Sequence, residues 1–140
     1  MTLKEIKMLI EGIAEKQPNI NTVIKSGDIY DLNTKSDVKY SAFCLTQQVH
    51  TEYDGFRTYN FYLFVVDRLL SDGKNKIAVQ SAAIETLSNI INTLRNQYDV
   101  EINSTITYQT FTQRFASECA GAYCSLAIIV PVTECETDYE

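Results

Sequence analysis

Tryptophan is absent from this 140-residue chain, proline occurs twice, glycine five times and histidine once. Gly and Pro this scarce exclude collagen-like repeats and Gly/Pro-rich disorder. Basic charge is also short: 12 Lys and Arg stand against 18 Asp and Glu, for a net charge of −6. No basic cluster occurs, which argues against a nucleic-acid surface that tracks phosphates. No apolar run approaches the ~20 residues that span a bilayer. The first residues, Met-Thr-Leu-Lys-Glu-Ile-Lys, mix acid and base without an apolar stretch and small-residue cleavage site, so no signal peptide is expected. Gly12, Gly27, Gly55, Gly73 and Gly121 are dispersed and form no phosphate-cradling loop. What remains is 45% apolar and 21% charged, the composition of one folded domain. Glu134, Glu136, Asp138 and Glu140 set off an acidic tail at 134–140 from a domain spanning 1–133.

Cys44, Cys119, Cys124 and Cys135 form an even set that would allow three disulfide connectivities in a secreted chain. Without a secretion signal the expectation is reduced thiols and synthesis in a reducing cytoplasm. Zinc wants tight Cys-x-x-Cys pairs, whereas Cys119 and Cys124 have four residues between them. Asp28, Asp31 and Asp37 are too loosely spaced for a calcium loop. The expectation is no metal and no cofactor.

Thr2 and Glu5 have capping-box spacing and open an apolar series at Leu3, Ile6, Leu9, Ile10 and Ile13, with Lys4, Glu5, Lys7 and Glu11 largely opposite. Pro18 stops it, predicting a helix over 2–17. Ile20, Val23 and Ile24 offer a short strand, followed by a turn at 26–28 and a polar loop. Val38–Tyr53 and Phe56–Asp67 are long strand-like arms joined by Asp54-Gly55, a dipeptide suited to the two positive φ angles of a type I′ turn. The run from Phe61 to Val66 is apolar throughout, whereas the arms turn polar toward the tip, which predicts a hairpin projecting from the body. A second helix is predicted over 75–97, with Ile77, Ile84, Leu87, Ile91 and Leu94 on its stripe. A strand over Val100–Phe115 follows, with Ile102, Ile106 and Tyr108 on one face. A turn at 116–121 leads to a strand over Tyr123–Val132. This order predicts an α+β domain: a mostly antiparallel sheet of four or five strands, with two helices on one face.

No catalytic constellation emerges. His50 would need Glu52 or a thiol such as Cys44 or Cys124 to act as a base, and nothing completes a triad. It reads as a surface or interface histidine. Tyr53, Phe56 and Tyr59 lie by the hairpin tip, away from any evident core, and tyrosine-rich clusters favour interfaces. Tyr53, Asp54, Gly55, Phe56 and Arg57 are therefore the candidate contact residues, with Arg57 and Glu52 available for polar pairing.

The helix from Leu3 to Lys16, the run Tyr59-Asn60-Phe61-Tyr62-Leu63-Phe64-Val65-Val66-Asp67 and the helix from Ile77 to Leu94 together resemble the small head–tail connector proteins of tailed bacteriophages. Tail-terminator and tail-completion proteins are the nearest in pattern. The Asn-, Lys- and Ile-bearing style is similar to that of phages of AT-rich gut bacteria, the crAss-like group among them. The resemblance implies a non-catalytic virion protein of the neck or tail, made in the host bacterial cytoplasm. It further implies a homo-oligomeric ring, a hexamer or dodecamer, against portal, connector or tail proteins. DNA would only pass through an acidic channel, without sequence-specific binding, and no membrane is involved. The acidic tail and the Cys119-to-Cys135 region match nothing in that pattern. The alternative reading is a small cytosolic α+β adaptor that grips one partner with its hairpin; an enzyme is a third.

Overall fold

The structure is a computed structural model that describes residues 1–25, 38–70, 72–114 and 118–132. Helix α1 spans Leu3–Glu15. Its capping box is formed in both directions: Thr2 Oγ1 accepts from the Glu5 amide at 3.2 Å, and Glu5 Oε1 accepts from the Thr2 amide at 2.8 Å. Those hydrogen bonds hold the Glu5 carboxyl below its ordinary range. Ile6, Ile10 and Ile13 face the core as expected, and Ala14 joins them. Glu11 does too, against expectation: it is 5% exposed. Lys7 makes this tolerable, because its Nζ sits 2.8 Å from Glu11 Oε2 and also donates to the Lys25 carbonyl.

Among the described residues, seven strand segments form one mixed sheet. They are β1 (Thr22–Ile24), β2 (Ala42–Gln47), β3 (Thr51–Tyr53), β4 (Phe56–Arg68), β5 (Glu101–Ile102), β6 (Tyr108–Arg114) and β7 (Glu118–Pro131). They lie in five tracks, because β2 and β3 share one edge of β4 while β5 and β6 share one edge of β7. Every pairing is antiparallel except β1 on β2. The fold is α+β, and the width agrees with four or five strands. Helix α2, Lys76–Gln97, lies with α1 on one face. There Ile6, Ile10, Leu87, Ile90 and Leu94 pack on Phe43, Phe61, Leu63, Leu126 and Ile128. Burying each such large apolar side chain is worth roughly 1.5–3 kcal/mol, which makes this layer the source of the fold's stability.

Several elements differ from expectation. The stripe of α2 is rotated: Val79, Ala83, Leu87, Ile90, Ile91 and Leu94 are buried, whereas Ile77 is 73% exposed and Ile84 only half-buried. Spacings of three and four keep one face of a 3.6-residue turn inward, and Ile77 precedes that face. Strand β7 begins at Glu118, so residues 118–121 extend the ladder instead of turning. Small side chains permit this. A Cβ built on Gly121 would run into the Val65 carbonyl oxygen of β4, so only glycine lets these two central strands come so close.

The third difference concerns the hairpin. β4 and β7 pair without a break from Arg68↔Cys119 to Phe56↔Pro131, so β7 accompanies the hairpin to its end. The Val132 amide then donates to the Gly55 carbonyl at 2.8 Å. The tip is thus the end of a multi-stranded sheet, not an overhanging two-stranded ribbon. The expected strand over 100–115 is interrupted between β5 and β6, yet Ile102, Ile106 and Tyr108 do share the core face. The turn at 26–28, the polar loop that follows it, and the tail at 134–140 lie outside the described residues.

Candidate functional site

The tip is built by the turn chemistry its sequence dictates. Asp54 and Gly55 have φ of 52° and 82°, both in the left-handed region. That turn sets Tyr53 opposite Phe56 and Glu52 opposite Arg57. Because side chains alternate along a strand, the two pairs point to opposite faces of the sheet. Tyr53 and Phe56 share the face opposite α1 and α2 and are 85% and 52% exposed. Glu52 and Arg57 share the helix face, where Arg57 Nε lies 2.8 Å from Glu52 Oε1. Arg57 Nη1 also donates to the Tyr59 hydroxyl at 3.0 Å, and the guanidinium stands 5.9 Å from that ring's centroid. Hydrogen bonds to Tyr59 and Glu52 push the Arg57 guanidinium further above its already high pKa.

Tyr59 departs from the expected cluster: it is 4% exposed, inside the core beneath the helices, and its hydroxyl donates to the Met1 carbonyl at 3.4 Å. Tyr53, Asp54, Gly55 and Phe56 therefore come together at one surface, while Arg57 stabilises the opposite face. An open groove of about 390 Å³ lies beside them, lined by Thr51, Tyr53, Asp54, Phe56, Thr58, Glu101 and Ile129. Glu101 and Ile129 arrive from β5 and β7, from outside the hairpin.

The interruption between β2 and β3 is closed by side chains. His50 Nδ1 accepts from the Asn60 amide at 3.1 Å, and His50 Nε2 lies 3.1 Å from Gln47 Oε1. An accepting Nδ1 requires the proton on Nε2, so that nitrogen donates to Gln47. Asn60 reciprocates, donating through Nδ2 to the Val49 carbonyl at 2.8 Å. The His50 ring packs 5.4 Å from Tyr59 and 5.6 Å from Phe61. Its role is to stand in for a missing strand carbonyl.

The thiols are also placed. Cys44 and Cys119 belong to a small cluster on the face opposite α1 and α2, and Cys124 lies in the main core. Cys119 and Cys124 thus lie on opposite faces of β7, which prevents a bridge between them. Burial alone pushes the Cys124 thiol up to about 12. Burial raises Cys119 as well. Cys135 and the acids Asp28, Asp31 and Asp37 lie outside the described residues. Among the described residues no His, Cys, Asp and Glu converge as a metal site, and no helix is long and apolar enough to cross a membrane.

On the same face as Tyr53, nearer the middle of the sheet, Tyr62, Phe64, Phe111 and Tyr123 form a half-buried aromatic patch. Phe64 and Tyr123 are the tightest pair, with ring centroids 5.1 Å apart. Phe43 and Phe61, on the helix face, are by contrast fully buried. No protein-family model matches the chain. No curated protein matches it either.

Proposed function

We propose that this chain is a structural, non-catalytic virion protein whose copies form a closed ring in the neck of a tailed phage, joining the portal–capsid assembly to the tail around the DNA channel. The observation that carries the reading is the Tyr53–Phe56 pair, two aromatics exposed by 85% and 52% on a turn braced by β7. Single exposed apolar residues are normal, but two aromatics paired across neighbouring strands form the kind of anchor that interface centres use. A net charge of −6 suits a channel along which DNA slides without sticking. Two features support a non-catalytic role. The Cys124 thiol stays protonated near neutral pH, and both His50 ring nitrogens are engaged in bridging strands.

The test is location. In tailed particles assembled with an epitope-tagged chain, immuno-electron microscopy is expected to find label at the neck. A chain found only in the soluble fraction of the host, with particles unlabelled, overturns the reading and is the result a cytosolic adaptor would give.

A further inference from the structure

Among the described residues eight large apolar side chains are exposed; Met1, Met8, Val49 and Tyr98 stand apart, and the other four form two pairs at the two ends of the sheet. At the tip are Tyr53 and Phe56; at the base are Leu70, just after β4, and Ile77, in the first turn of α2, which are 60% and 73% exposed. The thirteen residues of β4 separate these ends by about 40 Å at ~3.3 Å per residue, so they cannot meet within one chain.

Charge divides the same way. The tip groove carries the carboxylates of Asp54 and Glu101, and the base carries Lys74 and Lys76 around Ile77. Among the described residues Asp54, Glu101 and Lys76 make no ion pair, and Lys74 reaches only Asp72, at 3.6 Å on an exposed surface. The start of α2 is unusually positive. It has no acidic residue in its first turn and no side-chain cap, because Asn75 is spent holding the preceding loop through Leu70 and Arg68. A helix start attracts negative charge, yet this one supplies lysines.

We infer that the base of one copy, with Ile77 and Leu70 flanked by Lys74 and Lys76, docks into the tip groove of a second copy between Tyr53, Phe56 and Ile129, with Glu101 and Asp54 meeting the lysines. This deepens the reading of the tip as an assembly surface and rests on it. The contact is heterologous, since two different patches meet, so repetition runs head to tail and closes into a ring when the rotation permits. The four exposed side chains offer on the order of 500 Å², about a third of a standard ~1,600 Å² interface, as its apolar centre.

Sedimentation velocity on the full chain tests this. The wild type is expected to associate with rising concentration, whereas Tyr53→Ser/Phe56→Ser and Leu70→Ser/Ile77→Asp each stay monomeric, with melting temperatures near the wild type's. Mixed in equal amounts, the two variants retain one intact tip and one intact base between them. They are expected to form a 1:1 dimer and nothing larger. Should the base variant fail to fold, Lys76→Glu and Glu101→Lys replace it: each alone weakens association at least tenfold, and the double exchange restores it. A monomeric wild type, a base variant that associates normally, or a mixture of folded variants that stays monomeric overturns the inference. Assembly that needs the tip but not the base would sink this contact and leave the ring reading standing. Head-to-tail chains that never appear at a phage neck would do the reverse.

Discussion

Replacing Gly121 with alanine tests the central ladder of the fold. A Cβ there meets three backbone atoms, the carbonyl oxygen and carbon of Val65 and the Cα of Val66, with no side chain that can rotate away. Overpacking a core typically costs about 1–3 kcal/mol, and relief here requires moving β4 away from β7, so about 3 kcal/mol is expected. For a chain of this size that corresponds to a fall of about 10 °C in melting temperature. Gly12→Ala is the control. Nothing lies within 4 Å of a Cβ at Gly12 in α1, and alanine should stabilise the helix by roughly 0.5–1 kcal/mol. Thermal melts by far-ultraviolet circular dichroism, with urea midpoints beside them, measure both. A Gly121→Ala protein that melts within 2 °C of the wild type would refute the close approach of the two strands.

His50→Ala removes the acceptor for the Asn60 amide, so a loss of about 1–2 kcal/mol is expected in urea unfolding, with faster hydrogen exchange at Asn60. Unchanged exchange at that amide would mean that the ring does not replace a strand carbonyl. Cys124 gives a pH dependence. Its folded pKa of about 12 lies above the ordinary value of 9.0, so its contribution is complete below pH 9 and is lost as pH rises toward 12. Cys124→Ala should flatten that part of the stability profile, and the native thiol should resist alkylation at pH 8 until the protein unfolds.

The parts of the fold legible in the sequence are those fixed by local chemistry. Thr2 with Glu5 marks a helix start because the two residues satisfy each other's amides, and Asp54-Gly55 marks a turn because few other pairs accept two positive φ angles. The apolar run from Phe61 to Val66 reads as a central strand because the helix layer buries Phe61, Leu63 and Val65 on one face of β4, while neighbouring aromatic rings half-cover Tyr62 and Phe64 on the other. What escaped depends on partners distant in sequence. Cys119-Ala120-Gly121 looks like a turn until β4 is known to press against it. His50 looks like a surface residue until Asn60 is seen to lack a strand carbonyl. Tyr59 looks exposed until Met1 and the helix layer cover it. In the candidate site Tyr53, Asp54, Gly55 and Phe56 could be named from the turn. Glu101 and Ile129 could not, since they reach the groove only through β5 and β7 pairing.

Negative-stain electron microscopy of the purified full chain, wild type beside Tyr53→Ser/Phe56→Ser, tests the ring most directly. Both side chains are exposed, so the substitution leaves the core and the circular dichroism spectrum unchanged. The account predicts closed rings for the wild type and dispersed monomers for the folded variant. Wild-type images without rings, or rings that persist in the variant, would contradict it.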